Sequence, residues 1–182
     1  MRCVLEMNKV ASRVQEIPKF LGPLAPPKRR LACQRRLLNR QLVMSAYLGS
    51  QPMDPSPEQW RFPTRVSHIR ASYHELWVPT DFRQEKFFLD RAYLHLFIRR
   101  DERTEDEIVA LHCDPNESAS SKHYRYKAGP HVHMSTAEDP LHHSHIALNA
   151  GNLEDVLRSV ADLTSALAVA VTMIDDQVLG LY

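Results

Sequence analysis

Histidines are concentrated in one short stretch of the chain. Seven of the ten fall within 34 residues, and they are His112, His123, His131, His133, His142, His143 and His145. Alternate side chains of a strand share a face, so His131 and His133 face one way, as do His143 and His145. If the two segments pair as antiparallel strands, these four imidazoles converge on one patch. They are therefore the candidate catalytic residues.

Three kinds of chemistry use such a patch, and the first is metal binding. Neutral imidazole is a ligand for zinc and other transition metals, and the His-x-His spacing at 131 and 133 is typical of ligands on a strand. The same four histidines would be the ligands, with an oxygen from Glu138 or Asp139 of the intervening loop. A transition metal such as zinc is thus the alternative to our first expectation, which is a site without a cofactor.

The second kind is metal-independent acid–base catalysis. One neutral histidine removes a proton from a hydroxyl group while a protonated histidine gives a proton to the leaving group, as cleavage of an RNA phosphodiester requires. Just upstream, Arg125 and Lys127 are expected to hold the phosphate, and Tyr124 or Tyr126 to stack on a base. In the third interpretation the histidines are structural and occupy a polar sheet face.

The elements that position these residues are short strands followed by one helix. Alternating, β-branched and aromatic residues predict strands at 65–77, 92–99, 107–113, 131–134 and 142–148. An apolar stripe at helical spacing then runs through Val156, Val160, Leu163, Leu167, Ala170 and Ile174, after cap-type residues at 149–152 and acids at 154 and 155. We predict an α+β domain at 59–182, a small antiparallel sheet of about five strands packed by this amphipathic helix.

Residues 1–58 read as a basic arm that precedes the domain. Seven prolines interrupt it, and the first 45 residues carry ten basic and two acidic side chains, while the whole chain has a net charge of only +1. The best helical segment is 28–47, whose arginines Arg29, Arg30, Arg35 and Arg36 are candidates for binding nucleic acid. We expect that residues 1–43 can be removed without unfolding the domain.

Composition narrows the class of protein. Three cysteines without a C-x-x-C spacing indicate a reducing compartment, so we expect a cytoplasmic protein. No uninterrupted apolar run has the roughly 18 residues of a membrane span, so no membrane contact is expected. The chain has only five glycines and no phosphate-binding glycine loop, which argues against nucleotide-binding P-loop and Rossmann folds.

The segment 123–148 resembles the histidine-rich signature of TumE-type toxins of prokaryotic toxin–antitoxin systems. In that family an R-Y-D-N-A-P-H-H segment is followed by P-H-H-x-H and a C-terminal helix. The matching positions are Arg125, Tyr126, Pro130, His131, Pro140, His142, His143 and His145. Lys127-Ala128-Gly129 replaces the family's Asp-Asn-Ala, and Leu141 is inserted before the histidine pair. The resemblance implies a growth-inhibiting toxin that is held by a protein antitoxin.

These observations leave three functions open. The first is a toxin-like or defence-associated effector with a histidine-centred site that acts on RNA or a nucleotide phosphodiester, as a metal-independent ribonuclease or phosphodiesterase. The second is a non-catalytic adaptor that binds nucleic acid or protein and whose histidines are structural. The third is a metal-dependent enzyme acting on a small molecule. Whether the protein is an enzyme is left open by the sequence.

Overall fold

A computed structural model describes residues 3–49, 60–101, 104–115, 129–134, 144–148 and 157–182. These residues form nine strands and two α-helices. The strands are β1 Val4–Glu6, β2 Leu31–Leu38, β3 Gln41–Leu48, β4 Phe62–Pro63, β5 Ile69–Pro79, β6 Lys86–Arg99, β7 Glu105–Cys113, β8 His131–Met134 and β9 Ser144–Ala147. The helices are α1 Val10–Leu21 and α2 Val160–Gln177. The predicted α+β class is confirmed, with more strands than expected.

All nine strands belong to one antiparallel sheet. Its main path runs β2-β3-β5-β6-β7-β8-β9, while β1 pairs with the start of β6 and β4 with β5. The long strands β5, β6 and β7 form its centre because their inward residues are mainly apolar, as with Leu94 and Leu96 of β6, while Glu75 of β5 is a buried charged exception. Two bulges interrupt the pairing, with Asp90 as the extra residue of β6 and Ile108 as the extra residue of β7.

Helix α2 covers one face of this sheet, as its apolar stripe predicts. Leu163, Leu167, Ala170 and Ile174 are buried in the core. The helix begins after Ser159, whose side chain accepts a hydrogen bond from the Asp162 amide. The expected caps at 149–152, the acids at 154 and 155 and Val156 lie outside the described residues. We call the helix-covered side of the sheet the core face.

The prediction that residues 1–58 form a separate arm is wrong for residues 3–49. Leu5 of β1 and the α1 residues Val10, Ile17 and Leu21 belong to the same hydrophobic core as α2. Their spacing gives α1 one apolar face, and burial of that face holds the helix together despite Pro18 inside it. Removing residues 1–43, which we expected the domain to tolerate, would therefore take helix α1 out of the hydrophobic core.

The predicted helix at 28–47 is also wrong, because this segment is the β2–β3 hairpin. Leucine and arginine favour helices in isolation, but here Leu42 and Met44 are buried in the sheet and β3 pairs with β5. The two-residue turn, Asn39-Arg40, has positive φ angles of 49° and 68°. Such turns usually carry glycine, so its absence hid the hairpin signal in the sequence.

The stretch Val160–Leu181, which contains α2, is long and apolar enough to cross a membrane by length and composition. In the structure this helix packs against α1 and the sheet. The core helices of soluble proteins meet the same criterion, so the stretch is weak evidence for a membrane span.

Candidate functional site

The cross-strand register arranges the histidines in two neighbouring rows on the sheet face opposite the core face. The first row crosses four strands through His74, Tyr93, His112 and His131. The second row consists of Ser72, His95, Ala110 and His133. Directly paired residues of neighbouring strands project from the same face of a sheet. We call this side of the sheet the histidine face.

Four imidazoles meet on this face, and we call His95, His112, His131 and His133 the histidine cluster. The Nε2 atoms of His131 and His133 are 3.0 Å apart, and those of His95 and His112 are 3.2 Å apart. The two pairs are joined by His112 and His133, whose ring centroids are 4.1 Å apart. In His112, His131 and His133, one ring nitrogen of each lies within 4.8 Å of those of the other two.

Hydrogen bonds orient two of these rings. His131 Nδ1 lies 2.9 Å from the carbonyl oxygen of Gly129, which can only accept, so His131 carries its proton there when neutral and presents an Nε2 lone pair to His133. His95 Nδ1 lies 2.5 Å from Glu107 Oε2, which fixes His95 in the same way and presents its Nε2 to His112. Carbonyl and carboxylate partners of this kind orient metal-binding histidines in proteins.

Burial keeps the His112 ring neutral. His131 is fully buried, and His95 has 19% of its side chain exposed. Burial, together with the neighbouring His133, His95 and His131, lowers the pKa of His112 to about 2. The pKa of Glu107 is lowered as well, mainly by its hydrogen bond to His95. At neutral pH the cluster therefore offers the uncharged His112 ring and an ionised carboxylate behind His95.

The Tyr93 ring packs beside the cluster, between His112 and His74. Its ring stacks on His112 with centroids 3.8 Å apart and meets His74 edge-on at 5.4 Å. The Tyr93 hydroxyl donates a hydrogen bond to Asp114, whose other carboxylate oxygen lies 3.8 Å from His131 Nε2. Burial and the bond to Asp114 raise the pKa of Tyr93. Tyr93 thus stays protonated and links Asp114 to the cluster.

The structure brings together some of the predicted site residues. His131 and His133 are adjacent as predicted, and β8 and β9 pair antiparallel, with His133 opposite His145 along the backbone. The side chain of His145 lies outside the described part of the molecule. So do His143, the predicted nucleic-acid-binding residues Arg125, Tyr126 and Lys127, and the loop acids Glu138 and Asp139.

The predicted nucleic-acid-binding arginines of the N-terminal segment lie away from the cluster. Arg29 and Arg30 are exposed just before β2, and Arg35 and Arg36 are on β2 itself. Strand β2 is four strand spacings from β7, about 19 Å. Arg36 stacks over the Trp60 ring, 5.6 Å from its centroid.

Two members of the cluster were missed as site residues by sequence reasoning. His112 belongs to the histidine-rich stretch and His95 to the strand predicted at 92–99, but neither was joined to the pair at 131 and 133. The signal was present in the strands predicted at 92–99 and 107–113, because pairing Tyr93 with His112 sets His95 beside them. The exact register was required to see it, and the Ile108 bulge shifts that register.

The donor set fits a transition metal. Zinc binds imidazole nitrogen at 2.0–2.1 Å, so two ligands at a tetrahedral angle are about 3.4 Å apart. The spacing of the His131 and His133 Nε2 atoms, 3.0 Å, is close to this value. Three imidazole ligands leave a fourth position for water or for His95, whereas calcium and magnesium prefer oxygen ligands.

Comparisons with protein-family models, with curated proteins and with solved structures found no match to this chain.

Proposed function

We propose that the protein is a metal-dependent hydrolytic enzyme. In this proposal His112, His131 and His133 bind a transition metal, with zinc as the best fit, and a water molecule or His95 occupies the fourth position. The observation that carries the proposal is the convergence of three imidazole nitrogens within 4.8 Å of one another. Three histidine ligands with one open position are the donor set of catalytic rather than structural zinc sites.

The state of the imidazoles supports a metal in preference to metal-free acid–base catalysis. Metal-free cleavage of a phosphodiester needs one protonated and one neutral histidine near the working pH. The His112 pKa of about 2 keeps that ring neutral, and metals bind the neutral form. Neutral rings packed at 3.0–3.2 Å satisfy one another only when one donates its N–H, whereas a metal accepts every lone pair.

The residues around the cluster have definite roles in this proposal. A zinc ion with three histidine ligands lowers the pKa of bound water to about 7 and supplies a nucleophile at neutral pH. Glu107 accepts the hydrogen bond of His95 Nδ1 and thereby turns the Nε2 atom of His95 toward His112. Tyr93 and Asp114 hold the His112 and His131 rings in place from the other side. These groups would orient the ligands, and a bound metal would supply the activated water.

The earlier predictions on biological role fit this chemistry without being tested by it. A toxin-like effector that acts on RNA or a nucleotide phosphodiester, held by an antitoxin, stays the predicted role, now with a metal-activated water as the nucleophile. The non-catalytic adaptor stays the alternative. The histidines are catalytic in the first interpretation and structural in the second.

Metal binding is the decisive test. Metal-stripped protein is titrated with Zn²⁺ by calorimetry and with Co²⁺ by visible absorption, which reports tetrahedral coordination. We expect one equivalent to bind, and His112→Gln, His131→Gln and His133→Gln each to weaken binding at least 100-fold. His68→Gln is the matched control, because His68 is an exposed histidine whose ring contacts Tyr182. If His133→Gln binds Zn²⁺ as tightly as the control, the proposal is wrong.

Hydrolysis is measured in parallel with bis(p-nitrophenyl) phosphate, an activated phosphodiester. We expect chelator treatment to abolish turnover and one equivalent of Zn²⁺ to restore it in the control but not in His133→Gln. Turnover that survives chelation would instead support the metal-free histidine mechanism.

A further inference from the structure

A cavity opens on the histidine face next to the cluster. It has a volume of about 300 Å³ and lies between the β2–β3 turn, β5 and β6. Its polar lining consists of Asn39, Gln41, His74 and Arg91, and aliphatic side chains complete the wall. This volume is at the lower end for ligand pockets, so it suits one phosphate with its sugar rather than a larger group.

The cavity is connected to the cluster through the first histidine row. His74 forms part of its wall, and the Tyr93 ring lies between His74 and His112. These three residues are direct cross-strand neighbours on β5, β6 and β7. A group held in the cavity is therefore one aromatic ring away from the proposed metal ligands.

The polar groups of the cavity can take an anion. The Arg91 guanidinium uses its Nε for Asp90, at 3.1 Å, and has further N–H donors on its two terminal nitrogens. His74 Nδ1 is buried and has no hydrogen-bond partner among the described residues. Asn39 and Gln41 supply amide groups on the opposite side. Buried polar groups in proteins normally have a hydrogen-bond partner, so this nitrogen is left to be satisfied by a water or a ligand.

An exposed aromatic ring lies against the β2–β3 turn that forms one wall of the cavity, and we call this ring and Arg40 the rim. Phe82, in the β5–β6 turn, is 83% exposed, and the Arg40 guanidinium lies over its ring at 4.8 Å from the centroid. Arg40 follows Asn39 of the cavity wall and has a φ of 68°, a strained conformation for any residue other than glycine. Residues in such conformations cluster at functional sites of proteins. Exposed aromatic rings with nearby cations stack the bases of single strands.

We propose that this cavity and rim bind a single-stranded nucleic acid, with a phosphate against Arg91 and a base stacked on Phe82. The inference rests on the proposed function, since it identifies the substrate class of that site. The β2–β3 hairpin that forms one wall of the cavity is basic, because residues 28–41 contain six lysines and arginines and no acidic residue. Positive charge without base-specific contacts predicts affinity for phosphates of any sequence and strong dependence on salt.

The test measures binding without catalysis. Metal-stripped protein is titrated against a fluorescein-labelled ten-nucleotide oligouridylate by anisotropy, and in parallel against a strand of the same length built from abasic sites. Phe82→Ala is expected to weaken binding of the oligouridylate about tenfold and to leave abasic-strand binding unchanged. Arg91→Ala is expected to weaken both and to reduce the salt dependence by about one phosphate contact.

Matched controls separate this surface from general charge and exposure. Arg100→Ala removes an exposed arginine beyond the far end of β6, and Tyr182→Ala removes an exposed aromatic ring at the C-terminus. Both are expected to bind like the wild type. The proposal is overturned if the wild type does not bind the oligouridylate, or if Phe82→Ala and Arg91→Ala bind as the controls do. Because no metal is used, this failure is distinct from failure of the Zn²⁺ titration.

Discussion

The two faces of the sheet each hold a buried polar cluster, and the clusters are built differently. On the core face Glu75 accepts four hydrogen bonds, two of them from Arg13 of α1. The others come from the Tyr73 hydroxyl at 2.5 Å and the Trp77 indole nitrogen at 2.8 Å. Both carboxylate oxygens therefore have two dedicated donors, and the pair is closed to any ligand.

The histidine face shows the opposite arrangement. Its imidazoles contact other imidazoles, and their fixed partners, Gly129 and Glu107, lie on the far side of the rings. The Arg13–Glu75 pair joins elements, since Arg13 also donates to Thr164 of α2 at 2.5 Å. The comparison teaches that burial of polar groups does not by itself mark a functional site. What distinguishes the histidine face is that its inner ring nitrogens face one another, as a set of metal ligands would, whereas every acceptor atom of Glu75 faces donors.

The largest expected effect is loss of the folded state when the N-terminal elements that pack on the core face are deleted. Deleting residues 1–43 removes β1, α1 and β2, together with Arg13 and the buried Leu5, Ile17 and Leu21. We expect a chain without a cooperative thermal transition, measured by circular dichroism and calorimetry. A truncated protein that melts within a few degrees of the full chain would show that the core face does not need α1.

Replacing Arg13 by methionine tests the closed pair. The substitution leaves the Glu75 carboxylate buried without its cation, which costs about 3–5 kcal/mol of unfolding free energy. Urea denaturation at pH 7 measures this loss. Glu16→Gln is the control, because Glu16 is 36% exposed and its bond to Arg13 is long, at 3.4 Å, so less than about 1 kcal/mol is expected. Equal effects of the two variants would contradict the assignment of Arg13–Glu75 as the structural cluster.

At the histidine face, the unfolding free energy should depend on bound metal more than on substitution of a histidine. In metal-stripped protein, His133→Gln is expected to change the unfolding free energy by less than about 1 kcal/mol, because His133 is only half-buried. With Zn²⁺ at 100 times the dissociation constant of the wild type, the wild type should gain about 2.7 kcal/mol and the variant no more than about 0.4 kcal/mol. Thermal melts with and without Zn²⁺ measure the difference. An unfolded metal-free variant would mean that this cluster is structural as well.

A pH effect is expected at the cavity end of the first row. Burial, followed by the nearby His95 and Arg91, lowers the pKa of His74 to about 4, and Arg61 adds to the decrease while Glu75 opposes it. Unfolding restores a value near 6.5, so the unfolded chain takes up the proton first. His74 therefore stabilises the fold above pH 6.5, and this contribution, about 1–3 kcal/mol, is lost between pH 6.5 and 4.

Urea titrations of metal-stripped wild type and His74→Gln across this range isolate the effect. The difference between the two curves should fall as the pH falls from 6.5 to 4 and be level below that. Parallel curves would show that His74 titrates alike in both states.

The smallest expected effect is at the β2–β3 turn. Arg40→Gly relieves a φ of 68° and should raise the unfolding free energy by about 1 kcal/mol. The same change removes the cation over Phe82 and should weaken oligouridylate binding. Urea denaturation and anisotropy measure the two quantities on one sample. A gain in stability with unchanged oligouridylate binding would show that Arg40 has no part in binding nucleic acid.

Local pattern predicted the C-terminal half of the fold well. The alternation of β6 and β7, the pairing of β8 with β9 and the buried stripe of α2 were read from residue types that agree with their final environment. The N-terminal third was not predictable in this way. Its leucines and arginines favour a helix locally, and only pairing with β5 makes Leu42 and Met44 strand residues.

The site was half predictable for a related reason. His131 and His133 are two residues apart, so strand periodicity alone joins them. His95 and His112 enter through cross-strand register, which sequence spacing does not determine when a bulge intervenes. The Arg13–Glu75 pair was not foreseen, because its members are 62 residues apart and belong to different elements.

The two bulges also govern how the chain can change in length. Both histidine rows cross β6 at Tyr93 and His95. These residues lie between the two bulges, in the part of β6 where pairing with β5 and β7 is uninterrupted. Inserting or losing one residue inside that window would turn every following side chain to the other face and bury imidazoles among leucines. Losing Ile108 itself would only close the bulge and leave both flanking segments facing as before. In lineages of this protein, single-residue gaps in these strands should therefore be confined to the bulge positions.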